Sequence, residues 1–207
     1  MVKHTICLDY GEVTDITPDA RITLYNAGHI IGSSMVHLHI GNGLHNFLYS
    51  GDMKYAKTRL LEPAVTDFPR LETLMLEATY GGKDNIGVGR KESEDQLIEI
   101  IKKTVARKGK ILIPVLGVGR SQEIMLIVEY LVRSGQIEKI PVYIDGMVWD
   151  VTAIHTAYPE FMNSMIRKMI FHKDSNPFLS DIFKRVGSAK ERMQVVEEEG
   201  SCVILAT

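Results

Sequence analysis

The sequence is poor in the features that mark secreted, membrane-bound and strongly charged proteins. It has 207 residues, only two cysteines and a formal net charge of −2. No apolar run approaches the roughly 20 residues of a membrane span, and two distant cysteines form neither a disulfide framework nor a metal-ligand spacing. These absences exclude a disulfide scaffold and predict a reducing, cytoplasmic location. The balanced charge argues against a general basic field for nucleic acid without excluding a local basic groove.

What the chain does contain is a change of pattern near residue 80. Short apolar strands and a Gly41-Asn42-Gly43 turn dominate before it, and strands alternate with amphipathic helices after it. The predicted strands cover residues 6–8, 22–25, 35–40, 44–49, 73–76, 110–115, 140–144 and 201–206. The predicted helices cover residues 93–107, 119–133 and 148–157. Such alternation is typical of parallel βαβ units, so we predict an α/β chain with a β-rich domain at 1–80 and a Rossmann-like, parallel-sheet domain at 81–207.

A histidine between two glycines is the first candidate for chemistry. His29 lies in the stretch NAGHIIGS, directly after a predicted strand. Glycines let the chain turn sharply, and an imidazole fixed in such a turn suits a metal ion. A turn histidine without a ligand explains the same pattern, so the stretch alone leaves both interpretations open.

Two carboxylates end other predicted strands. Asp52 follows Gly51, where its two oxygens can each face a metal ion; an Asx turn or a helix cap is the alternative. Glu77 ends the apolar run Leu74-Met75-Leu76, where a charge without a partner is costly. Glu77 therefore needs a hydrogen-bonding neighbour, a metal ion or a proton, unless it already reaches water.

The other histidines carry weaker signals. His37 and His39 imitate half of a zinc-binding motif, but Val36, Leu38 and Ile40 form the apolar side of that strand. We therefore expect both histidines on the solvent-exposed side. The same expectation applies to the remaining histidines, His4, His45, His155 and His172.

Two loops after later strands are candidates for binding. Gly119, Arg120 and Ser121 join a strand to a helix, where free backbone N–H groups and an arginine can hold a phosphate. The spacing matches neither a Walker loop nor a dinucleotide fingerprint, and a plain chain turn is an equal alternative. Asp145 also follows a strand, either as a cleft residue or as an Asx turn that opens the next helix.

Taken together, these stretches resemble one known family. They are NAGHIIGS at residues 26–33, YSGD at 49–52, LEATYG at 76–81, IPV at 113–115, GRSQE at 119–123 and PVYIDGM at 141–147. The chain resembles the β-CASP branch of the metallo-β-lactamase superfamily, in particular the archaeal homologues of the nuclease subunit of the cleavage and polyadenylation specificity factor. The resemblance covers nearly the whole chain, and the combination of motifs is specific although no single one is.

The resemblance implies a site with two zinc ions. By position, His29 would ligate one zinc, Asp52 would bridge two, and Glu77 would orient a histidine from a later motif. The implied activity is zinc-dependent hydrolysis of RNA, internally and in some members also from the 5′ end, in RNA 3′-end processing or transcription termination. The implied partners are RNA and the transcription or RNA-processing machinery, with no membrane, and exposed strand edges leave pairing with a second copy open.

Several motifs of that family are absent from the sequence. The His-x-His-x-Asp-His motif and two later histidine motifs do not occur. At most two direct zinc ligands remain, where a catalytic zinc usually has three from the protein. We therefore expect an inactive piece of a longer nuclease. The alternatives are a non-catalytic RNA-binding scaffold of the same family and a Rossmann-like domain that binds a nucleotide at residues 117–121.

Overall fold

The computed structural model describes residues 2–85, 87–173 and 175–207. The chain forms two compact units, Met1–Asn85 and Ile86–Thr207, called unit 1 and unit 2. The predicted domain boundary lies after residue 80, and the assignment of the two parts to two family domains stays a prediction. Among the helices of the described residues, none has the length and apolar character that a membrane crossing requires.

Unit 1 is built on a five-stranded sheet in the order β1-β2-β3-β4-β5. The strands are β1 (Val13–Thr17), β2 (Ala20–Asn26), β3 (Ser34–Ile40), β4 (His45–Tyr49) and β5 (Thr73–Met75), with 3-10 turns at Val2–His4 and Lys83–Asn85. The first four strands pair antiparallel, and β5 pairs parallel to β4. Gly41, Asn42 and Gly43 have φ of 62°, 53° and 91°, which produces the predicted tight turn between β3 and β4.

One face of this sheet is covered by the connection between β4 and β5. Met35 and Leu48 on that face are each 1% exposed. Met35 and Leu48 belong to a buried apolar cluster. The connection packs four side chains against it: Met53, Val65, Phe68 and Leu71. The connection therefore serves as the cover that gives unit 1 a core.

His37 lies on the covered face, so the prediction that it faces solvent is wrong. It is fully buried, its ring lies 4.2 Å from that of His39 between centroids, and His39 is half-buried. Alternation misled because the more apolar face of β3 is the one that stays partly exposed. Val36 and Leu38 lie on the other face and stay partly exposed, so the pattern alone did not reveal which face is covered.

Unit 2 is built on a four-stranded parallel sheet in the order β6-β9-β7-β8. Its strands are β6 (Lys110–Pro114), β7 (Val142–Asp145), β8 (Phe183–Val186) and β9 (Cys202–Ala206). Its helices are α1 (Arg90–Ala106), α2 (Arg120–Arg133), α3 (Val148–Ala157), α4 (Ser164–Lys173) and α5 (Ala189–Glu197), with 3-10 turns at Pro159–Phe161 and Pro177–Leu179. A mainly antiparallel sheet followed by a parallel sheet confirms the predicted α/β class.

The core of unit 2 is formed by its central strands and helices. Val142 and Ile144 of β7 alternate with half-buried neighbours and are fully buried, as are Val203 and Leu205 of β9. Each such side chain contributes roughly 1.5–3 kcal/mol by leaving water. His155 of α3 is fully buried as well, against the expectation that it faces solvent, because the short apolar helix gives no clear polar side.

Some elements differ from the sequence prediction. Residues 6–8 form no strand, while β1, α4, β8 and α5 were not predicted. β1 is an edge strand in which four of five residues are exposed, β8 has only two apolar residues among its four, and α5 is mostly polar. Their apolar patterns are too short to identify an element, and their pairing partners lie elsewhere in the chain.

Candidate functional site

Three connections emerge at one end of the sheet in unit 1. Strands β2, β4 and β5 run in the same direction, because β2 and β4 are each antiparallel to β3 and β5 is parallel to β4. Their carboxyl ends therefore meet at one end of the sheet, called the rim. The residues that follow these three ends include the predicted site residues His29, Asp52 and Glu77.

The turn that carries His29 requires a glycine before it. Gly28 is buried and has φ of +66°. A Cβ at this position would lie 2.7 Å from the backbone nitrogen of Ala64 and 2.9 Å from the carbonyl oxygens of Glu62 and Lys54. Only glycine avoids both the backbone strain and these clashes, so the connection after β4 passes directly against the His29 turn.

Side chains on either side of His29 fix its backbone. Asn26 Oδ1 accepts a hydrogen bond from the Gly28 N–H (2.9 Å), and Asn26 Nδ2 donates to the Pro63 carbonyl (3.1 Å). Ser33 Oγ accepts from the N–H groups of His29 and Ile30, at 3.2 Å each. The imidazole itself is 42% exposed. The base of the side chain is therefore held while the ring remains open to a ligand.

Asp52 lies opposite His29 on the rim. It follows Gly51, whose φ of +54° turns the chain out of β4. The Asp52 side chain is 72% exposed, and its Oδ2 lies 3.9 Å from Nε2 of His29. Residues from two separate connections thus bring an imidazole nitrogen and a carboxylate oxygen within reach of one small ion.

Glu77 completes the rim from the segment after β5. Its Oε2 accepts a hydrogen bond from the Thr79 N–H (2.9 Å), and its Oε1 accepts one from the Met53 N–H (3.3 Å). Hydrogen bonds from Thr79 and then from Met53 hold the pKa of Glu77 below its usual range, and nearby His29 adds a smaller effect in the same direction. Glu77 is therefore ionised, with its charge satisfied by the chain itself.

The rim offers two candidate ligands for a metal ion, His29 and Asp52, and not the three that a catalytic zinc usually has. Among the described residues no group of three or more His, Cys, Asp or Glu side chains is arranged to hold a metal ion. Imidazole and carboxylate are ligand types that zinc takes, but a catalytic zinc usually has three protein ligands. The residues present therefore fit part of a zinc site and do not complete one.

In unit 2 the predicted phosphate loop uses most of its polar groups internally. Gly119 is buried and its N–H donates to Oε1 of Gln122 (2.7 Å). Ser121 is fully buried, with its hydroxyl 3.1 Å from the Gly117 carbonyl. Arg120 is the exposed member, and its Nη1 lies 3.2 Å from a carboxylate oxygen of Glu123.

Phosphate or nucleotide binding at this loop stays a prediction that now depends mainly on Arg120. The residue that organises the loop is Gln122, which sequence reasoning missed. It is fully buried, and its Nε2 also donates to Thr152 Oγ1 (3.1 Å). The signal was a glutamine three residues after the start of a helix, where a side-chain acceptor satisfies a free N–H group.

Asp145 at the end of β7 forms an ion pair with α5. Its two carboxylate oxygens lie 2.7 and 3.0 Å from Nε and Nη2 of Arg192. Arg192 holds the pKa of Asp145 below its usual value. This bidentate pair joins two elements of unit 2, and sequence reasoning missed Arg192 because it lies in a helix that was not predicted.

Comparison with known proteins decides the family. Residues 121–207 match the family model of the Beta-Casp domain. The whole chain is 56% identical to the transcription termination factor FttA of Thermococcus kodakarensis over 207 residues. Residues 121–207 therefore belong to the Beta-Casp domain family. The chain is also 55% and 54% identical, each over 206 residues, to the factors of the same name from Methanocaldococcus jannaschii and Lokiarchaeum sp..

The chain is short beside these relatives. Each alignment covers 100% of the chain and 32% of the relative, so the chain spans about a third of the length of the curated relatives it matches. The matched domain, residues 121–207, lies within unit 2. The rim residues His29, Asp52 and Glu77 lie outside it, and their roles stay predictions.

Proposed function

We propose that the chain is part of a zinc-dependent ribonuclease of the β-CASP family that hydrolyses RNA phosphodiesters in RNA 3′-end processing or transcription termination. The observation that carries the proposal is the 3.9 Å separation between His29 Nε2 and Asp52 Oδ2. Glu77 supports it, because its carboxylate accepts a hydrogen bond from the residue directly after Asp52. The name of the relatives, transcription termination factor, supports the process.

Within this proposal each exposed group has its own task. His29 would ligate one zinc ion and Asp52 would bridge two. Bound zinc supplies hydroxide at neutral pH and stabilises negative charge on the scissile phosphate. Glu77 orients the backbone that carries Asp52 and remains able to accept a further hydrogen bond from a histidine. Arg120 would contact an RNA phosphate.

The chain alone is proposed to be inactive, because two ligands on separate connections make a weak zinc site. The nuclease activity belongs to a longer protein that supplies the remaining ligands. Internal cleavage is the proposed reaction, with trimming from the 5′ end as a second one. RNA and the transcription machinery are the proposed partners, and a homo-oligomer is proposed on the edge strands β1 and β5 of the sheet in unit 1.

A non-catalytic RNA-binding scaffold of the same family is the second candidate. One observation favours it: the described residues contain no group of three metal ligands. A scaffold would bind RNA through exposed basic groups such as Arg120 and would not need zinc. The two candidates therefore differ in whether zinc and Asp52 matter for the fate of the RNA.

The deciding experiment uses the longer protein that contains this chain. Cleavage of a labelled RNA is measured with zinc and with a chelator, for the parent protein and for Asp52→Ala. Asp67→Ala is the matched control, because Asp67 is an exposed aspartate of the same unit that lies away from the rim in sequence. We expect zinc-dependent cleavage in the parent and the control and its loss in Asp52→Ala, with unchanged thermal unfolding.

Other outcomes have definite meanings. Cleavage by Asp52→Ala at the rate of the parent removes Asp52 from the site and overturns the proposal. RNA binding without cleavage by the parent protein, with or without zinc, selects the scaffold instead.

A further inference from the structure

A buried hydroxyl connects the two carboxylate segments of the rim. Ser50 follows β4 and is 1% exposed. Its Oγ accepts a hydrogen bond from the Glu77 N–H (3.0 Å) and donates one to the Gly51 carbonyl (2.7 Å). Its own N–H donates to the Met75 carbonyl (3.0 Å). Ser50 thus binds β5 through its backbone and the Glu77 segment through its side chain.

Asp52 lies between two links to Glu77. On one side is the Ser50 hydroxyl, and on the other the Met53 N–H donates to Glu77 Oε1 (3.3 Å). The linked residues are 27 and 24 positions apart in sequence. Two cross-connections that flank a segment of two residues, Gly51 and Asp52, restrict its backbone far more than one does. The second carboxylate oxygen of Glu77 is held by Thr79, so the acceptor is itself fixed.

The hydroxyl is needed because the regular ladder ends here. The last residue pair between β4 and β5 is Tyr49 with Met75. Beyond it, Gly51 turns the chain away with φ of +54°, and the Glu77 N–H donates to a side chain instead of a backbone carbonyl. Side-chain hydroxyls commonly satisfy backbone groups where a ladder stops.

We propose that Ser50 is a positioning residue, whose hydroxyl sets the place of Asp52 relative to Glu77 and His29 before any ligand binds. The effect on catalysis rests on the proposed nuclease function; the effect on the rim does not. Ser50→Ala removes the hydroxyl and leaves a methyl group of similar size. Ser50→Thr keeps the hydroxyl at a position that borders an apolar groove of about 690 Å³.

The first test uses the 207-residue chain and needs neither zinc nor RNA. Amide hydrogen exchange is measured by NMR for Glu77, with Glu72 as the control amide. Glu72 lies in the same unit and its N–H donates to the Asn46 carbonyl (3.0 Å), at the opposite end of the β4–β5 pair from Ser50. In Ser50→Ala we expect the protection of the Glu77 amide to fall about tenfold, while that of the Glu72 amide changes less than about twofold. Ser50→Thr restores the protection of Glu77.

Two results of this test overturn the inference. Unchanged protection of Glu77 in Ser50→Ala means that the hydroxyl does not hold the segment. An equal loss of protection at the Glu72 amide means that Ser50 supports the whole unit and has no specific effect on the rim.

The second test measures RNA cleavage by the longer protein. We expect Ser50→Ala to lower kcat about ten- to a hundredfold with little change in KM, and Ser50→Thr to recover most of it. Asp52→Ala is the reference. If Asp52→Ala also cleaves normally, the proposed function fails. If Asp52→Ala is inactive while Ser50→Ala equals the parent, only the positioning role fails.

Discussion

Unit 1 and unit 2 treat the polar groups at their strand ends in opposite ways. In unit 1 the side chains of His29 and Asp52 are 42% and 72% exposed, and the bonds that hold them act on the surrounding backbone. In unit 2 the Asp145 side chain is 19% exposed and bound by Arg192, and Gln122 is fully buried. Side chains left open to a ligand therefore lie on the rim of unit 1, while unit 2 uses its strand-end groups to hold its own loops.

The largest expected effect comes from adding a side-chain atom at Gly28 in the His29 turn, where the connection after β4 lies in close contact. Gly28→Ala adds a Cβ 2.7 Å from the Ala64 backbone at φ of +66°, and we expect the free energy of unfolding of unit 1 to fall by about 3 kcal/mol or more. Gly32→Ala is the control, since Gly32 has φ of +75° in the same turn but nothing within 4 Å. It should cost only about 1 kcal/mol. Urea unfolding, monitored by amide hydrogen exchange, measures the free energy of unfolding of both variants. Equal losses would show that the close contact of Gly28 with the Ala64 backbone is unimportant.

The corresponding change in unit 2 targets its buried amide. Gln122→Met removes the acceptor of the Gly119 N–H (2.7 Å) and the donor to Thr152. We expect a loss of about 2–3 kcal/mol, because a buried donor is left without a partner. The exposed Gln136→Met is the control and should change stability by less than about 0.5 kcal/mol. Trp149 lies in α3, so its fluorescence reports urea unfolding of unit 2. A loss as small as that of the control would mean that the loop does not depend on Gln122.

Both units should weaken in acid, because each buries a histidine. Burial lowers the pKa of His37 and of His155, and His39 lowers that of His37 further. As the pH falls below about 6.5, these two histidines therefore bind protons in the unfolded chain while they remain unprotonated in the folded chain. Stability is full above about pH 6.5 and falls below it, by up to about 1.4 kcal/mol per pH unit for each histidine.

Single substitutions separate the two contributions to this pH dependence. His155→Leu should flatten the pH dependence of unit 2 between about pH 6.5 and 5, measured by Trp149 fluorescence, whereas His172→Leu at an exposed site should not. His37→Leu should act likewise in unit 1, measured by amide hydrogen exchange. A slope that survives each substitution would show that other groups cause it.

Unit 1 has a second acid-sensitive group. Hydrogen bonds, first from the Asn46 side chain and then from Arg70, lower the pKa of Glu72 from 4.5 to about 2. The stability that Glu72 contributes is therefore present above about pH 4.5 and is lost as the pH falls toward 2. Glu72→Gln should remove this second, more acidic loss and leave the one below about pH 6.5 unchanged. Amide hydrogen exchange of unit 1 at pH 3 and pH 6, compared between the parent chain and Glu72→Gln, measures this difference in stability.

The smallest effect concerns the ion pairs of unit 2. Arg192→Met leaves the 19% exposed Asp145 side chain without its bidentate partner, and we expect a loss of about 1 kcal/mol. Arg185→Met breaks a 3.9 Å contact with Asp150 between side chains that are 59% and 72% exposed. It should cost less than about 0.5 kcal/mol. Equal losses of unfolding free energy in urea would show that the partly buried pair of Asp145 and Arg192 stabilises unit 2 no more than the exposed pair of Asp150 and Arg185.

The sequence marked the rim residues as candidates because their signals are local. His29 is flanked by glycines, Asp52 follows Gly51 at a strand end, and Glu77 ends an apolar run. Their convergence depends on the direction of β2, β4 and β5, which follows from strand pairing across the connection between β4 and β5. Local patterns therefore marked the residues as candidates, and only the direction and pairing of the strands bring them together.

The supporting residues escaped prediction because their partners are far away in sequence. Ser50 bonds to a residue 27 positions away, Asn26 to one 37 away and Gln122 to one 30 away. His37 was misplaced for the same reason, since the chain that covers it comes from the next connection. In unit 2 the strands and helices with long apolar patterns were predicted, while polar α5 and the short β8 depend on tertiary contacts.

Because of the strand directions in unit 1, the two ends of its sheet differ in how well they tolerate inserted residues. The hairpin between β3 and β4 lies at the end of the sheet away from the rim, and its Asn42 is exposed. Loop tips of this kind accept inserted residues readily. A short peptide tag placed between Asn42 and Gly43 would give antibodies or fluorophores a handle on unit 1 while His29, Asp52 and Glu77 keep their places.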